Sequence, residues 1–130
     1  MLFLASAIFL GRGIQRDQDI TLPKDAVRAA LAAGASGPVF NSYNFGGYLI
    51  FSNIAPVIDG RADLYGDKFV RRYMEAYSGK AEVLQALLQE YRIRWAVIEP
   101  TSPAAHVFRS LPGWHKIHED AVAVAYVLHP

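Results

Sequence analysis

Apolar positions recur along the chain with two different periods. In "DKFVRRYMEAYSG", Phe69, Tyr73, Ala76 and Tyr77 share one helical face and Lys68, Arg71, Arg72 and Glu75 the other. That spacing predicts an amphipathic helix, with Asp67 as its N-terminal cap and Gly79 as its stop. "AEVLQALLQEY" repeats the pattern through Leu84, Leu87, Leu88 and Tyr91, so two helices joined by a tight turn are expected. "TLPKDAVRAALAAG" predicts a helix from about Pro23 to Ala33, ended by Gly34. "TSPAAHVFRSLPG" predicts another, with Ser102 as cap, Pro103 in the first turn and Pro112-Gly113 as terminator.

Short apolar runs ending in a polar residue read as buried strands: "PVFN" at 38–41, "PVID" at 56–59 and "RWAVIEP" at 94–100. "GGYLIFSN" between the first two is long enough for a short helix. "WHKIHEDAVAVAYVL" reads as a hairpin whose first arm, Trp114 to His118, is an edge strand and whose second, Ala121 to Leu128, is apolar throughout. Its turn is expected at Glu119-Asp120. Helices alternating with buried strands predict an α/β fold, a small, mostly parallel sheet with helices packed on it and a C-terminal antiparallel hairpin.

The 130 residues suit one core, and residues 20–130 are expected to form it. Hydrophobic residues make up 52% and charged residues 19%, more apolar than a typical soluble domain, and part of the excess lies in the leader "MLFLASAIFLG". That leader is too short to span a bilayer by itself and has no basic region before it. Two readings are open: the last turns of a membrane helix whose beginning is missing, or an uncleaved or mispredicted start. Gly11-Arg12-Gly13 followed by "IQRDQD" favours the first, with residues 1–19 as helix end and juxtamembrane linker. Thirteen Lys and Arg against twelve Asp and Glu, with no basic cluster longer than Arg71-Arg72, argue against a nucleic-acid partner. The absence of cysteine excludes disulfides, thiolate metal sites and a cysteine nucleophile.

Open α/β sheets bind ligands at the carboxyl ends of their strands. Those ends would be Asn41 to Phe45, Asp59 to Asp67 and Glu99 to Ser102. Within them Tyr43, Asn44, Asp59, Arg61, Asp63 and Tyr65 are the candidate binding residues, as a recognition surface or a structural latch. Asp59, Asp63 and Asp67 recur every four residues, but Gly60 and Gly66 argue against a helix there and Arg61 supplies a counter-charge. An Asp–Arg network is therefore expected in preference to a metal site, and no metal or cofactor is expected. Gly46-Gly47 lie in neither a dinucleotide nor a P-loop fingerprint and read as relief of crowding at the sheet edge. The histidines lack metal-ligand spacing, and no serine lies in a nucleophile elbow, so no catalytic residue is assigned.

The segments "FNSYNFGGYLIF", "PVIDGRADLYGD" and "LLQEYRIRWAVIEP" resemble the C-terminal domain that follows the last membrane helix in bacterial multi-spanning proteins of the GT-C glycosyltransferase type. The likeness covers about Pro23 to Leu128. The chain is more remotely similar to the catalytic subunit of oligosaccharyltransferase, whose Trp-Trp-Asp-Tyr-Gly pentad would fall on Ser42 to Gly46, where only the glycine is identical. Sequon recognition is therefore not implied. The resemblance implies an extracytoplasmic, periplasmic domain of a membrane protein. It would recognise a sugar, lipid-linked sugar or peptide acceptor without being catalytic in isolation, because the donor site and catalytic acid of such enzymes belong to their membrane portion. The alternative expectation is a free-standing cytoplasmic module that binds a small molecule or nucleotide at the strand-end loops.

Overall fold

A computed structural model describes residues 22–61 and 65–129. The expected leader helix and linker, and Ala62 to Leu64 with the candidate Asp63, lie outside the described residues. The chain forms α1 (Lys24–Ala32), β1 (Val39–Asn41), a 3-10 turn (Tyr43–Phe45), α2 (Gly46–Phe51), α3 (Asp67–Tyr77), α4 (Ala81–Glu90), β2 (Trp95–Ile98), α5 (Pro103–Phe108), β3 (Trp114–Glu119) and β4 (Val124–Leu128). Among the described residues no helix is long and apolar enough to cross a membrane.

The four strands form one mixed sheet in the order β1-β2-β4-β3. Only β1 and β2 are parallel, with Val39 opposite Trp95, whereas β4 pairs antiparallel with both β2 and β3. The expectation of a mostly parallel sheet is thus corrected: the sheet is α/β in its packing but mostly antiparallel in its pairing. One reason is the expected second strand, which shrinks to a single parallel bridge between Val39 and Pro56. Proline brings no amide proton to a ladder. Beyond that bridge the Val57 amide is shared between the Val39 carbonyl and the side chain of Asn41, and among the described residues the Ile58 amide meets the Asn41 side chain alone.

Alternation along the strands sends side chains to two cores, one on each face of the sheet. Phe40, Ala96, Ile98, Val124 and Tyr126 point toward α3, α4 and α5, where they meet Tyr73, Ala76, Leu84, Leu87 and Phe108. Val39, Trp95, Val97, Ala125 and Val127 point the other way, toward Ala26, Val27 and Ala30 of α1 and Leu49 of α2. The result is three layers. In α3 the predicted apolar face holds, with Tyr73 and Ala76 buried and Phe69 and Tyr77 packed against them.

Two end signals differ from expectation. The N-cap of α3 is Gly66 with no side-chain cap, and Asp67 is the first helical residue. The hairpin turn runs from Asp120 to Ala123, because Asp120 Oδ1 accepts from the amides of Val122 and Ala123 and so closes a wider loop than a two-residue turn. Ser102 does cap α5, its hydroxyl accepting from the Ala105 amide at 3.2 Å, and Pro103 follows in the first turn.

Candidate functional site

The carboxyl ends of β1 and β2 and of the segment passing Pro56 lie along one edge of the sheet, and each delivers polar residues to it. Asn41 ends β1 completely buried. Its amide donates to the carbonyls of Ile58 at 2.8 Å and Ser42 at 2.9 Å, while its oxygen accepts from the Val57 amide at 2.8 Å and the Ile58 amide at 3.5 Å. One side chain thus takes up the backbone groups past the two bonds that Val39 makes to Ala55 and Val57, where a longer parallel strand would have continued the ladder. Tyr73 of α3 completes the corner by donating to the Asn41 carbonyl at 2.8 Å.

Beyond this staple, Asp59 is 1% exposed yet ionised, a combination that is costly without partners. Arg61 donates to its two oxygens through Nε and Nη2, each at 3.0 Å, and through its backbone amide at 2.7 Å. The Tyr65 hydroxyl donates to Oδ2 at 2.6 Å. The fork of Arg61 holds the Asp59 carboxyl well below the usual carboxylate range. Burial opposes this, and the Tyr65 hydroxyl and Arg61 amide add to the lowering. The Tyr65 hydroxyl is pushed up, first by burial and then by its bond to the carboxylate.

Because folding depresses this pKa, the unfolded chain takes up the proton first as pH falls. The stabilisation is whole above the ordinary carboxylate pKa of about 3.9 and is lost below it. The stability gap between the wild-type chain and Asp59→Asn should therefore be widest above about pH 5 and shrink toward about pH 2, as read from urea midpoints across that range. A gap that widens on acidification would contradict the assignment.

Tyr65 stacks on Phe69 with ring centroids 5.5 Å apart, and Tyr91 meets Phe69 edge-on at 5.6 Å. With Pro38, Pro56 and Val57 these rings line a groove of about 450 Å³. The Arg61 side chain, 63% exposed, is held by Asp59, the same carboxylate that the groove residue Tyr65 bonds.

The remaining candidates form a second group. Tyr43 is 44% exposed on the 3-10 turn. Asn44 is also exposed, and its amide donates to Glu99 Oε1 at 3.3 Å. Ser42 Oγ donates to the same Oε1 at 3.1 Å. The edge therefore brings Asp59, Arg61 and Tyr65 together and sets Asn44 apart with Glu99. Among the described residues no hydrogen bond or ion pair joins the two groups. Glu99, Ser42 and Tyr77 were not among the residues that sequence reasoning selected. The signal for Glu99 was available, since it is the first residue past the third strand run, the position that the strand-end rule marks. Among the described residues, no group of three or more His, Cys, Asp or Glu could hold a metal ion. Asp59 and Arg61 form an ion pair at 3.0 Å.

Comparison with protein-family models, with curated proteins and with solved structures gives no match.

Proposed function

We propose that this chain is an extracytoplasmic, membrane-tethered α/β domain that gives acceptor recognition to a GT-C-like membrane glycosyltransferase and is not catalytic alone. The observation that carries this reading is the aromatic groove beside the fixed Asp59–Arg61–Tyr65 cluster. Stacked Tyr65 and Phe69 offer an apolar platform for a sugar ring or a peptide side chain, and the exposed guanidinium offers donors to oxygen atoms at its rim. Both oxygens of Asp59 are already engaged, which suits a frame for binding better than a base that must accept a proton. Leu31, Ile50 and Phe51 are exposed on α1 and α2, and Phe51 is 90% exposed, which is compatible with a face held close to a bilayer.

The 130-residue chain is expected to shift the ring resonances of Tyr65, Phe69 and Tyr91 on saccharide titration and to show no hydrolysis or transfer from a sugar nucleotide. Turnover that is abolished by Asp59→Asn would overturn the non-catalytic assignment. Genomic DNA upstream of Met1 is expected to encode several hydrophobic helices in frame. A stop codon followed by a ribosome-binding site there would favour the free-standing cytoplasmic module.

A further inference from the structure

The two carboxylates at the sheet edge are supplied very differently. Asp59 receives four donors at 2.6–3.0 Å, two of them from a cation. Glu99 receives two, both neutral, both on Oε1, and both long at 3.1 and 3.3 Å. A hydroxyl bonded to a carboxylate ordinarily sits at about 2.5–2.7 Å. Among the described residues Oε2 of Glu99 accepts no hydrogen bond and no cation pairs with the side chain. The side chain is partly buried, so water screens that charge incompletely.

Its place in the topology is equally specific. After β1 the chain departs through the 3-10 turn and α2 on the α1 side of the sheet, and after β2 it departs through α5 on the opposite side. The two loops part between β1 and β2 and leave a crevice at their carboxyl ends, which is where open α/β sheets take ligands. Here the crevice is a cavity of about 420 Å³ lined by Asn44 and Glu99 on its polar side and Leu22, Phe45 and Val122 on its apolar side.

Behind Glu99 stands a group with no partner. The hydroxyl of Tyr77 is inaccessible to solvent and makes no hydrogen bond, although Ser42, Ser102 and the Glu99 backbone lie near it. A buried hydroxyl left unpaired is costly.

We infer that the crevice between β1 and β2 binds a primary alkylammonium group, with Glu99 as its counter-ion, the Asn44 side-chain carbonyl as a second acceptor, and its alkyl stem along Phe45 and Val122. A carboxylate without a cation selects positive charge, and the apolar wall beside it selects an alkyl stem in preference to a hydrated ion. This inference does not depend on the glycosyltransferase reading, which concerns the groove beside Asp59.

The test is NMR titration of the 130-residue chain with n-butylammonium chloride, with n-butanol and glucose as neutral controls. Saturable shifts of the Asn44 side-chain amide and the Glu99 and Val122 backbone amides are expected from the ammonium salt alone. Glu99→Gln, nearly isosteric, should weaken the affinity about tenfold or more. Equal shifts with n-butanol, shifts with glucose only, or wild-type affinity in Glu99→Gln would overturn the inference. None of these outcomes bears on saccharide binding at Tyr65 and Phe69, so the two readings fail separately.

Discussion

Asn41→Ala is expected to cost about 3 kcal/mol of folding stability. The side chain is completely buried and uses all of its donor and acceptor capacity inside the protein. The loss falls mainly on Ile58, which is 1% exposed and whose amide and carbonyl both depend on Asn41 among the described residues. Two buried backbone groups without partners cost about 1–3 kcal/mol each, less whatever water can enter the space left by the amide. Val57 is better protected, because its amide also donates to the Val39 carbonyl at 2.9 Å. Urea unfolding should therefore show a lower midpoint with an unchanged slope, and hydrogen exchange should accelerate at Ile58 more than at Val57. A loss below about 1 kcal/mol would mean that the segment does not depend on this staple. Tyr73→Phe provides the scale for one hydrogen bond at the same corner, about 1 kcal/mol.

Asn41 also marks where sequence reasoning was blind. The apolar run "PVID" met the pattern of a buried strand, and Val57 and Ile58 are indeed buried. Period and burial cannot reveal which partner satisfies the backbone, and at Ile58 a side chain 17 residues away takes the place of a strand. The error in sheet pairing has a related origin. Both arms of the C-terminal hairpin were legible, but nothing local says that β4 will lie against β2 in antiparallel register, since that choice is made by the two cores filling on either side of Ala96 and Val97. The helices were legible because their signals are local: the 3.6-residue stripe through Tyr73 and Ala76, and the Ser102-Pro103 start of α5. Gly79 ends α3's last turn at a φ of 101°, a conformation that favours glycine, and its role could likewise be read from position alone. The Asp59–Arg61 pair was legible from a spacing of two residues. Glu99 is legible as a strand-end residue, but its pairing with Ser42 and Asn44 is not, because they are more than 50 positions away and only the parallel pairing of β1 with β2 brings them together.

Gly46→Ala and Gly47→Ala should differ in sign, although the two glycines are adjacent in one helix. Gly46 has ordinary helical angles, φ −57° and ψ −43°, so backbone freedom is not the reason for glycine there. The reason is proximity: a Cβ at position 46 would sit 2.6 Å from Asp59 Cα, 2.7 Å from Asp59 Cβ and 2.7 Å from the Ile58 carbonyl oxygen. No flexible side-chain end lies among these atoms to yield, so either α2 must lift or the 58–59 segment must move. Overpacking of this kind costs about 1–3 kcal/mol and occasionally more, and contact with backbone puts Gly46→Ala at the upper end, about 3 kcal/mol or roughly 10 °C in Tm. Gly47 has nothing within 4 Å of the same imagined atom, so Gly47→Ala should be neutral or stabilising by up to about 1 kcal/mol through helix propensity. Equal effects of the two substitutions would refute the close approach of α2 to Asp59. The Gly46→Ala and Asn41→Ala losses should also fall short of additivity when combined, because both release Ile58, and the second change finds it already free. Because Asp59 is the anchor of Arg61 and Tyr65, the displacement should reach the candidate site. In Gly46→Ala the acid-sensitive part of stability assigned to Asp59 should diminish, a readout that separates movement of this carboxylate from unspecific loosening of the fold.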